Sequence, residues 1–260
     1  MKNKIGLQIY SVREDFAENP FETLRTIKKM GYDGIEFNYN TNLPFTAEKM
    51  RRELDEIGLE CYSAMSGWGE FSTENIKDTV DYIETLGARH VIIGNIDFAA
   101  FDADESYAKQ ALERMIEINE YAISRGLSSG YHAHQGDFTR YVGEDTFYEY
   151  ILKNTPASFA AVIDSGNIEA GGGDPISIMK KYPNRSPIVH VKGYNEIERY
   201  AAAIWDSGTN WNDFFSTAKA GKTELYFVEL SARGDYVPLK RAAESYDWLK
   251  GMLESDAKNA

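Results

Sequence analysis

Short, continuously apolar runs alternate along this chain with longer segments whose apolar residues recur at helical spacing. Eight runs stand out: Ile5–Tyr10, Gly34–Phe37, Leu59–Ala64, His90–Gly94, Leu127–His132, Phe159–Asp164, Ile188–Lys192 and Leu225–Leu230. They return roughly every 25 to 40 residues, the period of one strand–helix unit. An unbroken apolar run, rather than an alternating one, is how a strand covered on both faces reads, as in a parallel sheet. The intervening segments carry helix ends. Asn19-Pro20 opens Phe21–Met30 and Gly31 closes it; Thr46 opens Ala47–Ile57 and Gly58 closes it. Thr73 starts a helix that ends at Gly87, the longest runs from about Ser106 to Gly126, and Asp174-Pro175 starts one that ends near Tyr182-Pro183. Asp213–Ala220 and Pro238–Leu253 complete the set.

Eight strand–helix repeats in this length predict an α/β chain folded as a (β/α)8 TIM barrel. The competing doubly wound sheet would carry a glycine-rich phosphate loop after its first strand. Here that strand runs into Ser11-Val12-Arg13-Glu14. No linker or composition break interrupts the pattern, so residues 1–260 read as one TIM-barrel domain, with Glu254–Ala260 expected to fray.

Composition narrows the partners. Of 260 residues 43% are hydrophobic, enough for one sizeable core. Against 28 Lys and Arg stand 41 Asp and Glu, a net charge of −13 that repels nucleic acid and anionic membranes. With Cys61 the only cysteine, no intrachain disulfide can form, which suits a reducing compartment and a cytoplasmic location. The opening is basic, but its apolar stretch is broken by Gln8 and ends at Arg13-Glu14-Asp15, so it does not read as a signal peptide. No run of 18 apolar residues predicts a membrane span.

In a barrel, chemistry gathers at the C-terminal ends of the strands. Strand two ends in Glu36, strand five in Tyr131-His132-Ala133-His134, strand six in Asp164, strand seven in His190-Val191-Lys192 and strand eight in Glu229. A carboxylate placed after apolar residues is costly to bury without a partner. A divalent metal is such a partner. His132, Asp164, His190 and Glu229, one from each of four strands, offer the mixed nitrogen and oxygen ligation that suits Mn, Zn or Co. Taken singly, a strand-end Glu is usually solvated or ion-paired, and a lone His usually structural; four at the same rim shift the balance. His90 begins strand four at the opposite rim and is assigned a structural role.

These residues also carry a resemblance. Gly6-Leu7-Gln8-Ile9-Tyr10-Ser11-Val12-Arg13, Gly31-Tyr32-Asp33-Gly34-Ile35-Glu36, Tyr131-His132-Ala133-His134, Asp164-Ser165-Gly166-Asn167, His190-Val191-Lys192 and Val228-Glu229 occur in the order of the xylose isomerase-like TIM-barrel family, the sugar phosphate isomerase/epimerase group. The chain resembles that family over nearly its whole length. The resemblance implies one divalent metal (Mn, Zn, Co or Mg) held by Asp164, His190 and Glu229. His132 stands where many relatives have the first Glu, either as a ligand or as a shaper of the site. It further implies a small-molecule sugar or cyclitol substrate and a possible homo-oligomer. Gln8, His132 and Trp68 are expected to line the substrate site, and Glu36 to stand at the sugar or just behind the metal ligands. Several positions depart from the pattern. Ala133 replaces an Asn, Met65 stands near where many relatives place a His, and Gly193 replaces an Asp.

The expected activity is metal-dependent sugar or cyclitol isomerisation or epimerisation by proton transfer through an enediolate. Glu229 or His134 would move the carbon-bound proton, and Lys192 would stabilise the oxyanion, hold a hydroxyl or simply pair with an acid. The alternatives are a dehydratase or lyase acting on a keto-sugar or inosose, and a non-catalytic sugar-binding barrel. A phosphodiesterase of the same fold is disfavoured by the net charge of −13. Trp68, Trp205 and Trp211 fall in or near strand–helix loops, where they could stack on a sugar face, although core packing is the commoner role.

Overall fold

A computed structural model describes residues 3–40, 43–104, 106–231 and 236–258, with side chains to Ser255. Eight parallel strands close into a barrel: β1 (Lys4–Gln8), β2 (Gly34–Tyr39), β3 (Glu60–Ser66), β4 (His90–Ile93), β5 (Ser128–His132), β6 (Ala160–Asp164), β7 (Ile188–Val191) and β8 (Leu225–Val228). Pairing runs in chain order, and β1 closes against β8 through Lys4–Leu225 to Leu7–Val228. A main helix follows each strand: α1 (Pro20–Met30), α2 (Ala47–Ile57), α3 (Ile76–Leu86), α4 (Tyr107–Ser124), α5 (Phe147–Asn154), α6 (Pro175–Lys181), α7 (Trp211–Ala220) and α8 (Pro238–Lys258).

Strand alternation divides the apolar residues into two sets. Ile5, Leu7, Ile35, Phe37, Tyr131, Val189 and Tyr226 point outward into the layer between strands and helices. Met65, Ile92, Val162, Ile188, Leu225 and Phe227 form a separate cluster inside the barrel. Phe227 fills the interior because Gly6 opposite has no side chain; a Cβ there would lie 2.3 Å from the Phe227 ring. This plug closes the barrel beneath its C-terminal mouth and separates the polar inward residues above it from His90 and Ser128 at the N-terminal rim.

Local chemistry explains where element ends differ from the sequence pattern. β1 stops at Gln8, two residues early, because the Gln8 side chain accepts the Tyr10 backbone N–H and turns Ile9–Val12 into a 3-10 helix. α7 starts at Trp211 because Asn210 caps it through the Asp213 N–H. The pattern named no helix between strands five and six. α5 lies there, capped by Thr146, whose hydroxyl accepts from the Glu149 N–H. The Thr146-to-Glu149 spacing is the capping signal that identifies it. α8 continues to Lys258, so the expected fraying from Glu254 onward is not seen in the described part of the tail.

His90 opens β4 at the N-terminal rim, with Nδ1 2.5 Å from the Ser128 hydroxyl. Burial pushes its pKa down to about 4, so it is a neutral structural imidazole. Among the described residues no helix is long and apolar enough to cross a membrane.

Phe227→Ala is expected to cost about 3–5 kcal/mol, since the interior cannot collapse across a closed barrel. Urea unfolding should show a lower midpoint with an unchanged slope.

Candidate active site

The inward residues at the ends of β5 to β8 converge. His132 Nε2 lies 3.1 Å from His190 Nδ1, 3.3 Å from Asp164 Oδ2 and 3.5 Å from Glu229 Oε2. His190 Nδ1 lies 2.6 Å from Glu229 Oε2. One donor atom from each of the four residues falls within 4.8 Å of all the others, and all four residues are buried. Donors bound tetrahedrally at about 2.0–2.1 Å stand about 3.3–3.4 Å apart; the three distances from His132 match this spacing, and the His190–Glu229 pair is closer.

The bonding of each donor reflects its element. Asp164 ends β6 and caps the short helix Ser165–Ala170; its Oδ1 accepts the Asn167 N–H at 2.7 Å. Its Oδ2 points into the cluster and has no hydrogen-bond partner, although fully buried. Lys192 Nζ stands 3.6 Å from it, beyond hydrogen-bond reach. A buried carboxylate oxygen held only by ion-pair contacts, without a hydrogen bond, is a costly arrangement that a bound cation would relieve. Beneath the cluster, Glu36 accepts from the Ser63 hydroxyl at 2.7 Å, and its other oxygen is 3.0 Å from His190 Nε2. Those two atoms are close but not aligned for a hydrogen bond. A carboxylate behind a metal-binding imidazole is a recurrent arrangement that orients the ring.

Electrostatics agrees with a cation site. Burial favours a neutral imidazole at His190, but Glu36 and Glu229 outweigh it and push its pKa up to about 10. The cluster thus collects positive charge, and an ion would displace the proton. Burial opposes a charged Glu229, yet the Lys192 ammonium at 2.6 Å and the two imidazoles hold its carboxyl well below the usual range. Lys192 is kept charged despite its burial by Asp164 and Glu229. His134 goes the other way: burial, then His132 and Lys192, push it down to about 3, leaving a neutral ring. The donor set and its charge therefore fit a divalent metal.

Above the cluster opens a cleft of about 440 Å³. His132, His134, Asn167, Lys192, Tyr200 and Glu229 form one wall, and Gln8, Tyr10, Asn38, Met65, Ser66 and Asn95 the other. Tyr200 hydrogen-bonds Gln135 at 3.3 Å, and its ring centre lies 5.4 Å from the Lys192 ammonium. Of the residues expected at substrate, the structure places Gln8 and His132 on the cleft. Glu36 is fully buried under His190 and is not among its lining residues. Trp68 is also off the wall: the 3-10 turn Trp68–Phe71 packs it half-buried on the core, with the Arg114 guanidinium 5.6 Å from its ring. Trp211 is core, bonded through its indole N–H to the Ile204 carbonyl at 2.9 Å, and Trp205 lies beside Arg241.

The departures from the family pattern have packing reasons. Ala133 turns its side chain into the core, while its carbonyl accepts from Asn167 at 3.0 Å. A Cβ at Gly193 would lie 2.4 Å from the Ala202 carbonyl, so the passing segment demands glycine. Asp137 had no role in the sequence reading. It is fully buried, accepts from the Tyr131 hydroxyl at 2.7 Å and the His134 N–H at 2.6 Å, and so sets the His134 turn. Its place three residues after His134, as a capping acid, was the available signal.

The sequence profile of the xylose isomerase-like TIM barrel family matches residues 24–252, and the chain belongs to this family. Among relatives by sequence, a protein named inosose dehydratase from Bacillus anthracis is 27% identical over 199 residues, which cover 68% of this chain and 64% of that protein. The match thus spans less than two thirds of the relative's length. Among solved structures, a sugar phosphate isomerase/epimerase of Parabacteroides distasonis superposes with a TM-score of 0.80 at 22% identity, covering 96% of this chain and 98% of that one. An L-ribulose 3-epimerase gives a TM-score of 0.73 at 13% identity, covering 99% and 97%.

Burial pushes the Asp137 pKa up to about 7 against the opposing hydrogen bonds from Tyr131 and His134. An acid whose folded pKa is raised makes the folded state hold the extra proton between about pH 4 and pH 7. Its contribution to stability is therefore intact below about pH 4 and declines by up to ~1.4 kcal/mol per pH unit as pH rises to about 7. Urea midpoints across this range should fall less steeply with pH in Asp137→Asn than in the parent protein.

Proposed function

We propose that this protein is a divalent-metal-dependent enzyme that moves a proton at the carbon beside the carbonyl of a sugar or cyclitol, as an isomerase or epimerase. The observation that carries this reading is the buried convergence of His132, Asp164, His190 and Glu229, with Asp164 Oδ2 lacking a hydrogen bond, at the floor of a cleft. Those four residues would hold the ion (Mn, Zn, Co or Mg), which when bound supplies Lewis-acid polarisation of a substrate carbonyl. Both oxygens of Glu229 are already engaged, one by His190 and one by Lys192. The His134 ring, whose contacts to the His132 ring and carbonyl are 3.4 Å long, would be the sterically freer group to take a proton from carbon, while its pKa of about 3 makes it a weak base. Lys192, whose ammonium sits between Glu229 and the Tyr200 ring, would donate to the oxygen that gains charge. Glu36 orients His190 from below. A return of the proton to the neighbouring carbon gives isomerisation; its return to the opposite face of the same carbon gives epimerisation.

A second reading, dehydration of a keto-sugar or inosose, is supported by the inosose dehydratase name of the 27% identical relative. The first proton transfer would be the same, and Lys192 would then protonate a departing hydroxyl.

Metal-loaded protein incubated in heavy water with ketoses and inososes should place deuterium beside the carbonyl, read by NMR. Loss of water in place of simple exchange would identify the dehydratase, and no exchange with any of them would overturn both readings. Asp164→Ala and His190→Ala should each reduce metal content from about one equivalent to a small residue and abolish turnover. Full activity in either would falsify the ligand assignment. Glu36→Gln should retain metal with an affinity about 10- to 100-fold weaker, measured by chelator competition.

A further inference from the structure

The two walls of the cleft differ in chemistry. The ionic groups of its described lining, His132, His134, Lys192 and Glu229, belong to the β5–β8 side; the opposite wall offers amides, hydroxyls, glycines and Met65. Among the described lining residues Lys192 is the one Lys or Arg, and its ammonium lies on the opposite wall, 2.6 Å from Glu229. Gln8 is the most constrained group of the neutral wall, at 1% exposure. Its Oε1 accepts the Tyr10 backbone N–H. A backbone amide only donates, so this bond fixes which end of the Gln8 amide is oxygen. The NH2 end has its contact with the Met65 thioether at 3.8 Å, a weak acceptor for one of two N–H groups.

We infer that Gln8 is a specificity-determining residue whose amide NH2 holds a hydroxyl of an uncharged polyol, making the β1–β4 wall the subsite for the part of the substrate remote from the carbonyl. The inference rests on the proposed function for the position of the carbonyl, and it narrows the substrate class to unphosphorylated sugars and cyclitols. A buried donor pair with no strong acceptor favours a ligand oxygen and penalises a ligand that lacks one. A phosphate on this wall would meet amides and hydroxyls, with no Lys or Arg among the wall's described lining residues to balance its charge.

Ligand-observed NMR on the metal-loaded protein tests this with sorbitol, myo-inositol and sorbitol 6-phosphate, none of which carries a carbonyl to react. At least one neutral polyol should bind, and sorbitol 6-phosphate should bind no tighter than sorbitol. Gln8→Glu keeps an oxygen for the Tyr10 N–H and removes the NH2; Gln8→Met removes both. Each should weaken polyol binding about tenfold with metal content unchanged. Tighter binding of the phosphate ester, equal polyol affinity in both variants, or no binding of either polyol would overturn the inference. Gln8-dependent binding without deuterium exchange on any ketone would remove the enzymatic reading and leave the subsite.

Discussion

Glu229 is the group around which the mouth of this barrel is organised. Its carboxylate is buried, bonded to Lys192 on one side and to His190 on the other. Glu36 and Asp164 are buried within the same cluster, so three carboxylates face one ammonium and two imidazoles. Such an arrangement persists only with further positive charge, supplied by protons on the imidazoles or by a cation. Asp164 Oδ2 takes its share of that charge from ion-pair contacts with His132 at 3.3 Å and Lys192 at 3.6 Å, with no aligned hydrogen bond of its own.

The fold makes this arrangement sustainable. Four neighbouring strands each deliver an inward residue at their C-terminal ends, and closure of the barrel brings residues from His132 to Glu229 within a few ångströms. Beneath them Phe227, Val162 and Ile92 exclude water. The His190 ring centre lies 5.7 Å from that of Phe227, so the apolar plug and the ionic cluster share a boundary. The low dielectric below strengthens every charge interaction above it, and this is why the imidazole and carboxyl pKa values move so far.

Membership of a family does not select a reaction. The same donor set, with an imidazole poised beside it, serves any chemistry that begins by loosening a proton next to a carbonyl. What separates isomerase, epimerase and dehydratase is where that proton returns and which oxygen departs. Those outcomes depend on how the opposite wall holds the substrate. In this chain that wall is neutral, and Met65 occupies part of it beside Gln8.

Much of the fold and part of the site were legible in the residue pattern. Eight apolar runs gave the strands, because strands covered on both faces cannot alternate. Cap residues such as Thr46 and stop residues such as Gly58 marked helix ends, because they satisfy orphan backbone groups or adopt a left-handed turn. His132, Asp164, His190 and Glu229 were identifiable as strand-end groups too polar to bury alone. The sequence could not say that Glu36 lies under His190, that Trp68 turns away from the cleft, or that Asp137 holds the His134 turn. Strand position sets only whether a side chain faces in or out; the depth it reaches and the partner it meets depend on closure of the barrel and on the loops that pack across it. Residue types and their spacing thus determined which groups gather at the mouth, and the tertiary structure decided which of them face the cleft and which support it, because burial and hydrogen-bond geometry exist only once distant strands are side by side.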